Sequence, residues 1–351
     1  MNTIKNLAES AMKRITQFIG QVAAIAKLNE IIDAFNYYTK KGDSYPFDPI
    51  FLLGPTGAGK TTLASVFAEH TGFQFLELPP NAGWREFAKV AAKMASWNED
   101  GSFSAIPTCL FIDEFGSQKV LRDVLKKITE KEYKCVIERN GVKFPIDPYN
   151  IIIMIATDQE IERSQKRRCV NVTMGPVTNK EAQELYSAIL RRIAPSKSVH
   201  KDALQYLADR TKPFPGDIKQ VCMGLKNQTT NAIDLKVAKH VMQVEGLSKG
   251  GLDRQDRATL KRVASDARGT SMDVLQSLPE ISDVKSSTTR KRLGWLQVLG
   301  LVDKNGHGYI ATKACVQYLA DLALAQKNAR AKIAAKSAGK SEAKATATVK
   351  R

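Results

Sequence analysis

The sequence predicts an α/β chain: a parallel sheet built around a phosphate-binding loop, followed by a helical domain and a small domain of three helices and a hairpin. Three observations predict it. Residues 54–62 read Gly-Pro-Thr-Gly-Ala-Gly-Lys-Thr-Thr directly after the apolar run Ile50-Phe51-Leu52-Leu53. From Ile50 to Val172 apolar runs alternate with helical stretches, as in a sheet covered on both faces. After Gly175-Pro176 the pattern becomes helical only.

The loop carries the first chemistry. Gly54, Gly57 and Gly59 let the backbone curl so that successive N–H groups point inward at a polyphosphate. Pro55, Thr56 and Ala58 complete the curl, and Lys60 supplies a point charge for the β- and γ-phosphates. Thr61 offers a hydroxyl to Mg²⁺, Thr62 follows it, and a helix opening at Lys60 turns its positive end toward the same anion. A chance glycine-rich turn would not bring strand, loop, Lys-Thr and helix together in that order. The expected ligand is a nucleoside triphosphate with magnesium.

Phe73–Leu78 is the next expected strand, followed by an amphipathic stretch from Trp84 to Trp97. Thr108–Ile112 then forms a buried-strand run ending in Asp113-Glu114, which sets two carboxylates at the carboxyl tip of a strand expected to neighbour the phosphate-loop strand. Ligands of such sheets bind at that edge. Asp113 would hold Mg²⁺ through its water shell and Glu114 would polarise the attacking water. Taken alone, such a run equally describes a strand before an acidic helix cap; behind a phosphate loop the catalytic reading is the stronger. A helix near Val120–Glu130, a hairpin Tyr133–Pro145 turning at Asn140-Gly141 and a strand Ile151–Ala156 follow. Thr157-Asp158 then place a hydroxyl and a carboxylate beside the acidic pair. Thr157 either positions the attacking water or caps a helix.

Helices are expected over Asn179–Ile193, His200–Thr211, Gly216–Lys226 and Ile233–Glu245, and the glycine-rich stretch 246–251 marks a boundary. Helices Arg254–Ala267, Met272–Leu278 and Ser287–Leu299, then a short strand, the turn Asn305-Gly306-His307-Gly308 and a strand Tyr309–Thr312, suggest a winged helix. Arg290, Lys291 and Arg292 in the first turns of its third helix, with Lys304 on the wing, are the expected DNA phosphate contacts, and His307 is a further wing candidate. A winged helix that contacts protein is the alternative. No base-reading side chains are evident, so sequence-independent binding is expected.

The chain has 351 residues, enough for two or three domains, and a formal net charge of +17. Seven of those charges come from the tail after Gln326, where eight Lys and Arg face Glu342 alone. Its Ala, Ser, Lys and Thr composition predicts a disordered end, although Leu322–Ala335 could prolong a helix. Such a tail either contacts nucleic-acid phosphates or solubilises the chain. The five cysteines lack Cys-x-x-Cys spacing and read as thiols of a reducing compartment. No apolar run is long enough to span a bilayer, and charges interrupt the first 21 residues, so a soluble cytoplasmic protein without a membrane partner is expected. The expected domains are 1–176 with an amino-terminal linker, 177–250, 251–326 and a tail 327–351.

The phosphate loop, the Leu110-Phe111-Ile112-Asp113-Glu114 strand and the downstream helical and winged-helix domains together resemble the AAA+ ATPases, specifically the RuvB-type Holliday-junction branch-migration motors, over roughly residues 15–320. Gln17-Phe18-Ile19-Gly20-Gln21 resembles the segment that packs on the adenine, which gives Ile19 that role, and residues 251–257 resemble the junction before the winged helix. The resemblance implies a P-loop AAA+ sheet with a helical lid, a ring that is usually a hexamer, and nucleotide held between protomers. It also implies ATP hydrolysis coupled to movement of branched duplex DNA in recombination and repair.

The departures matter as much. Where the family carries its arginine finger, Ser164-Gln165-Lys166-Arg167-Arg168-Cys169 keeps arginine but not the register. Arg168 before Cys169 resembles the clamp-loader finger, Arg167 is next in preference, and Lys166 takes the position in another register. Guanidinium geometry makes an arginine the better finger. Phe214-Pro215-Gly216-Asp217-Ile218-Lys219 aligns Asp217 with the family's sensor-2 arginine. Either Lys219 substitutes, or the lid responds through packing alone. Phe115-Gly116 replaces the histidine after the acidic pair, and the hairpin Tyr133–Pro145 lies where the family docks a junction-recognising partner. A clamp-loader-like or initiator ATPase, or a regulator of the kind that uses ATP as an assembly switch on DNA, is the competing reading.

Overall fold

The computed structural model describes residues 12–79, 82–113, 135–139, 141–158, 169–284, 286–324 and 327–328. Glu114, Arg167, Arg168, the helix expected at 120–130 and nearly all of the basic tail lie outside them. The chain forms two compact units, one reaching residue 208 and including 212–241, the other made of 209–211 and the chain from 242 onward.

In the first unit helix α1 (Val22–Lys40) buries Ala24, Leu28, Ile31, Ile32 and Phe35, a helical spacing that lines one face. Asn29 on the same face binds the backbone of Ile15 twice, accepting from its N–H at 2.8 Å and donating to its carbonyl at 3.1 Å. The segment ahead of the helix is thereby pinned without a strand partner. Next come β1 (Ile50–Leu53), α2 (Lys60–Thr71), β2 (Gln74–Leu78), α3 (Trp84–Met94), β3 (Ala95–Trp97), β4 (Phe103–Ala105), β5 (Thr108–Ile112), β6 (Cys135–Arg139), β7 (Val142–Ile146), β8 (Ile151–Thr157) and β9 (Val170–Thr173).

The central sheet is parallel, in the order β2-β5-β8-β1-β9. This corrects one expectation: β5 does not neighbour β1, because β8 lies between them. The physical reason is in the residues of β8, Ile-Ile-Ile-Met-Ile-Ala-Thr, every one of them buried. A strand that apolar on both faces belongs in the middle of a sheet covered on both sides. The amphipathic stretch expected through Trp97 also divides. Ala95 turns to extended dihedrals (φ −155°, ψ 152°) and the chain continues as β3, antiparallel to β4, with Trp97 against Phe103 at 5.4 Å. The hairpin β6–β7 forms across the expected turn, and Phe144 on β7 stacks on Phe87 of α3 at 4.6 Å.

Helices α4 (Asn179–Ile193), α5 (Lys201–Ala208), α6 (Pro215–Lys226) and α7 (Leu235–Val244) follow, with β10 (Ser198–Val199) pairing in parallel with β11 (Ala232–Ile233). Thr178 and Glu181 start α4 with a reciprocal capping box.

The second unit contains α8 (Arg254–Ala264), α9 (Met272–Gln276), α10 (Ser286–Val298), the antiparallel pair β12 (Val302–Asn305) and β13 (Gly308–Ala311), and a helix α11 over 313–324. Leu260, Val263, Leu275, Leu293, Leu296 and Cys315 are buried at its centre. An ionic cluster holds its first turn: Asp253 caps α8, and Arg292 donates to Asp253 at 2.6 Å and to the fully buried Asp256 at 2.9 Å.

Among the described residues no helix is long and apolar enough to cross a membrane. Cys109, Cys222 and Cys315 are buried thiols and Cys169 is half-buried. Burial pushes the Cys222 thiol up to about 12 and raises those of Cys109 and Cys315, so these three are packing residues rather than nucleophiles at neutral pH.

Candidate nucleotide site and nucleic-acid face

The loop leaves β1 between two neighbouring strands and is fixed to both. The Gly54 N–H donates to the Thr157 carbonyl at 3.1 Å, and the Met174 N–H donates to the Leu53 carbonyl at 2.7 Å. A Cβ at Gly54 would lie 2.5 Å from the Met174 carbonyl oxygen, so only glycine fits there. Gly57 (φ 86°) and Gly59 (φ 95°) adopt left-handed dihedrals that other residues rarely accept. Between them Ala58 is fully buried and its N–H binds the Pro55 carbonyl at 3.2 Å. Helix α2 opens at Lys60 with glycine as its cap and no side-chain hydrogen bond to that end. An uncapped helix start behind left-handed glycines suits an anion.

The Lys60 ammonium arches over the loop, donating to the Gly54 carbonyl at 2.8 Å and the Pro55 carbonyl at 3.0 Å. Its charge therefore already sits at the loop. Thr61 follows, half-buried, and Thr62 is exposed, as are Pro55 and Thr56. Thr157 is buried and pairs with Leu53 in register, so it ends its strand alongside the loop. Asp113 directly follows β5, one strand further out, and is half-buried. Loop, Thr157 and Asp113 thus share the carboxyl edge of three adjacent strands. A hydroxyl and a carboxylate at that edge are the hard oxygen donors that suit Mg²⁺.

Two contacts here escaped the sequence reading. Gln21, at φ 59°, binds the Gly175 peptide in both directions, donating through Nε2 at 2.6 Å and accepting at Oε1 at 3.0 Å. A Cβ at Gly20 would lie 2.9 Å from Val177 Cγ1, so the segment containing the half-buried Ile19 is held against residues 175–177. The start of α6 also reaches the loop, where the Gly216 N–H donates to the Gly57 carbonyl at 2.9 Å. The signal for the second contact was the Pro-Gly start of α6, within the segment that aligns with the family's sensor-2 position.

On the second unit Arg290 and Lys304 are exposed, and the Lys304 ammonium lies 5.9 Å from the centre of the Tyr309 ring. Arg292 is a correction. It was expected to face DNA, but two carboxylates hold it in the ionic cluster and its side chain is 18% exposed. A guanidinium so committed cannot also neutralise a phosphate.

Fold and loop together resemble those of the P-loop ATPases of the AAA type. Residues 50–194 match the family described as "ATPase family associated with various cellular activities (AAA)". A katanin-like p60 ATPase-containing protein of Mus musculus is 25% identical over 193 residues, which cover 52% of this chain and 39% of that protein, so the chain spans well under half of its length. Similarity to the Holliday junction branch migration protein RuvB runs much further. The Corynebacterium diphtheriae protein is 22% identical over 326 residues, covering 88% of this chain and 84% of that one. The Ligilactobacillus salivarius protein is 23% identical, covering 90% and 93%. The Thermotoga maritima RuvB branch migration motor shares the fold with a TM-score of 0.67 at 19% identity, over 89% of this chain and 98% of that one. Residues 50–194 thus carry the AAA ATPase match, and the chain as a whole has distant but near-full-length similarity to RuvB.

Proposed function

We propose that the chain is an ATP-hydrolysing motor that assembles as a ring, six copies in the reading we favour, and drives branch migration of branched duplex DNA during recombination and repair in the cytoplasm. The observation that carries the hydrolytic part is the shared edge, with the phosphate loop, Thr157 and Asp113 on adjacent strands β1, β8 and β5. The DNA part rests on similarity to RuvB through both units and on the exposed Arg290 and Lys304.

In this reading the N–H groups of residues 57–61 hold the phosphates and Lys60 exchanges the two loop carbonyls for phosphate oxygens. Thr61 and Asp113 would hold Mg²⁺, which supplies charge neutralisation on the phosphate chain. Glu114, next in the chain after Asp113, takes the proton of the attacking water, and Thr157 orients that water. Arg168 or Arg167 of a neighbouring copy reaches the γ-phosphate and makes turnover depend on assembly. Residues 177–250 act as the lid over this site, and 251–326 as the winged helix on DNA phosphates.

One observation favours a second reading. The α6 turn that carries Asp217 rests on the loop, which suits a protein that uses ATP as an assembly switch with little turnover. DNA-stimulated ATP hydrolysis separates the two. Wild-type protein is expected to turn over repeatedly on a four-way junction, and Glu114→Gln to lose on the order of a hundredfold or more, the size of a general-base effect. Equal rates for the two proteins would remove the hydrolytic assignment.

A further inference from the structure

The turn that opens α6 lies on the phosphate loop and brings a carboxylate with it. The Gly216 N–H donates to the Gly57 carbonyl at 2.9 Å, and a Cβ at 216 would lie only 2.9 Å from the Gly57 Cα, so the approach requires glycine on the α6 side. Facing it, a Cβ built on Gly57 would lie 3.7 Å from the Asp217 Oδ2 and 3.8 Å from the Phe214 Cβ, and one on Gly59 would lie 3.8 Å from the Pro215 ring. Asp217 is in the first turn of α6, where an acid already suits the helix dipole. What distinguishes it is the surface it faces: the inward-turned glycine stretch that suits a phosphate.

We infer that Asp217 is a specificity-determining residue for the length of the phosphate chain, favouring a nucleoside diphosphate over the triphosphate while the α6 turn rests on the loop. The inference rests on the nucleotide reading above. A carboxylate held beside Gly57 repels anionic charge over a short distance. The triphosphate brings one more phosphoryl group and more negative charge than the diphosphate, so it meets more of that repulsion. The diphosphate fits under the seated turn. The triphosphate binds with the turn lifted, which breaks the Gly216–Gly57 hydrogen bond and couples phosphate-chain length to the position of α6. Asp217 is thus a group whose charge sets which nucleotide holds the turn down.

The test is the ratio of affinities for a nonhydrolysable ATP analogue and for ADP, measured by calorimetric titration with Mg²⁺ on the full chain. Asp217→Asn keeps the shape and removes the charge. It is expected to tighten the triphosphate analogue on the order of tenfold and ADP by less than about twofold, with the difference shrinking as salt rises. Asp217→Glu keeps the charge and is expected to keep the wild-type ratio. Should Asp217→Asn fail to fold, Asp217→Ser carries the same comparison. A residue that only caps the helix would leave the ratio unmoved, and an unchanged ratio in a charge-free variant, with both nucleotides bound by the wild type, overturns the inference. A wild-type chain that binds neither nucleotide overturns the nucleotide reading itself, and this inference falls with it.

Discussion

Lys60→Ala is expected to lose detectable ATP turnover, a reduction on the order of a thousandfold, and to weaken nucleotide binding severely. The cause is local. The Lys60 Nζ is held over the loop by the carbonyls of Gly54 and Pro55, so its positive charge is positioned before any phosphate arrives. An ammonium arranged in advance stabilises developing phosphate charge without reorganisation, whereas a methyl group leaves two carbonyl oxygens pointing toward the incoming anion. The fold should tolerate the change. Gly54 remains tied to Thr157, Leu53 remains tied to Met174, and Ala58 remains buried, none of which involves the lysine side chain. Steady-state hydrolysis and nucleotide titration, run beside a thermal melt, check the prediction. Wild-type turnover in a well-folded Lys60→Ala protein would contradict it.

Asp256→Ala is expected to destabilise the second unit by about 3–5 kcal/mol, the scale of a buried ion pair broken from one side. Asp256 is fully buried, accepts from Arg292 at 2.9 Å, and accepts from the Asp253 N–H at 3.1 Å in the capping box that starts α8. Its removal leaves the Arg292 guanidinium largely buried with Asp253 as its remaining carboxylate, and takes the capping-box partner from the helix. Replacing Arg292 with Met as well should recover part of the loss, because the stranded charge is then gone. Hydrogen exchange across 254–264 and 286–298 reads this directly. Protection equal to wild type in the single variant would mean that the cluster contributes little.

The same cluster shows what the sequence could and could not say. The phosphate loop was legible because its chemistry is local: glycine dihedrals, a lysine and a helix start lie within nine consecutive residues. The pairing of β6 with β7, and helix α10 followed by the pair β12–β13, were legible for the same reason. Arg292 was misread because its partners stand 36 and 39 residues earlier, and a basic run on a helix looks the same whether a carboxylate or a phosphate answers it. The position of β8 between β5 and β1 is likewise a property of the whole sheet. Its uniformly apolar residues carried the signal, which marks a central strand but not its neighbours. The docking of α6 on the loop depends on a close approach between Gly216 and Gly57, and no periodicity announces such an approach. The proposed finger residues, Arg168 and Arg167, rest on the family resemblance alone and lie outside the described residues.

The central claim is that catalysis happens at a seam between copies, with the phosphate loop of one and an arginine of the next. Its most direct measurement is the particle mass of the wild-type protein with a nonhydrolysable ATP analogue and a four-way DNA junction present together. The account predicts closed assemblies of several copies on the junction, six in the favoured case, which disperse for Lys60→Ala. A single copy that persists with both ligands present, at concentrations where ATP is hydrolysed, would contradict it.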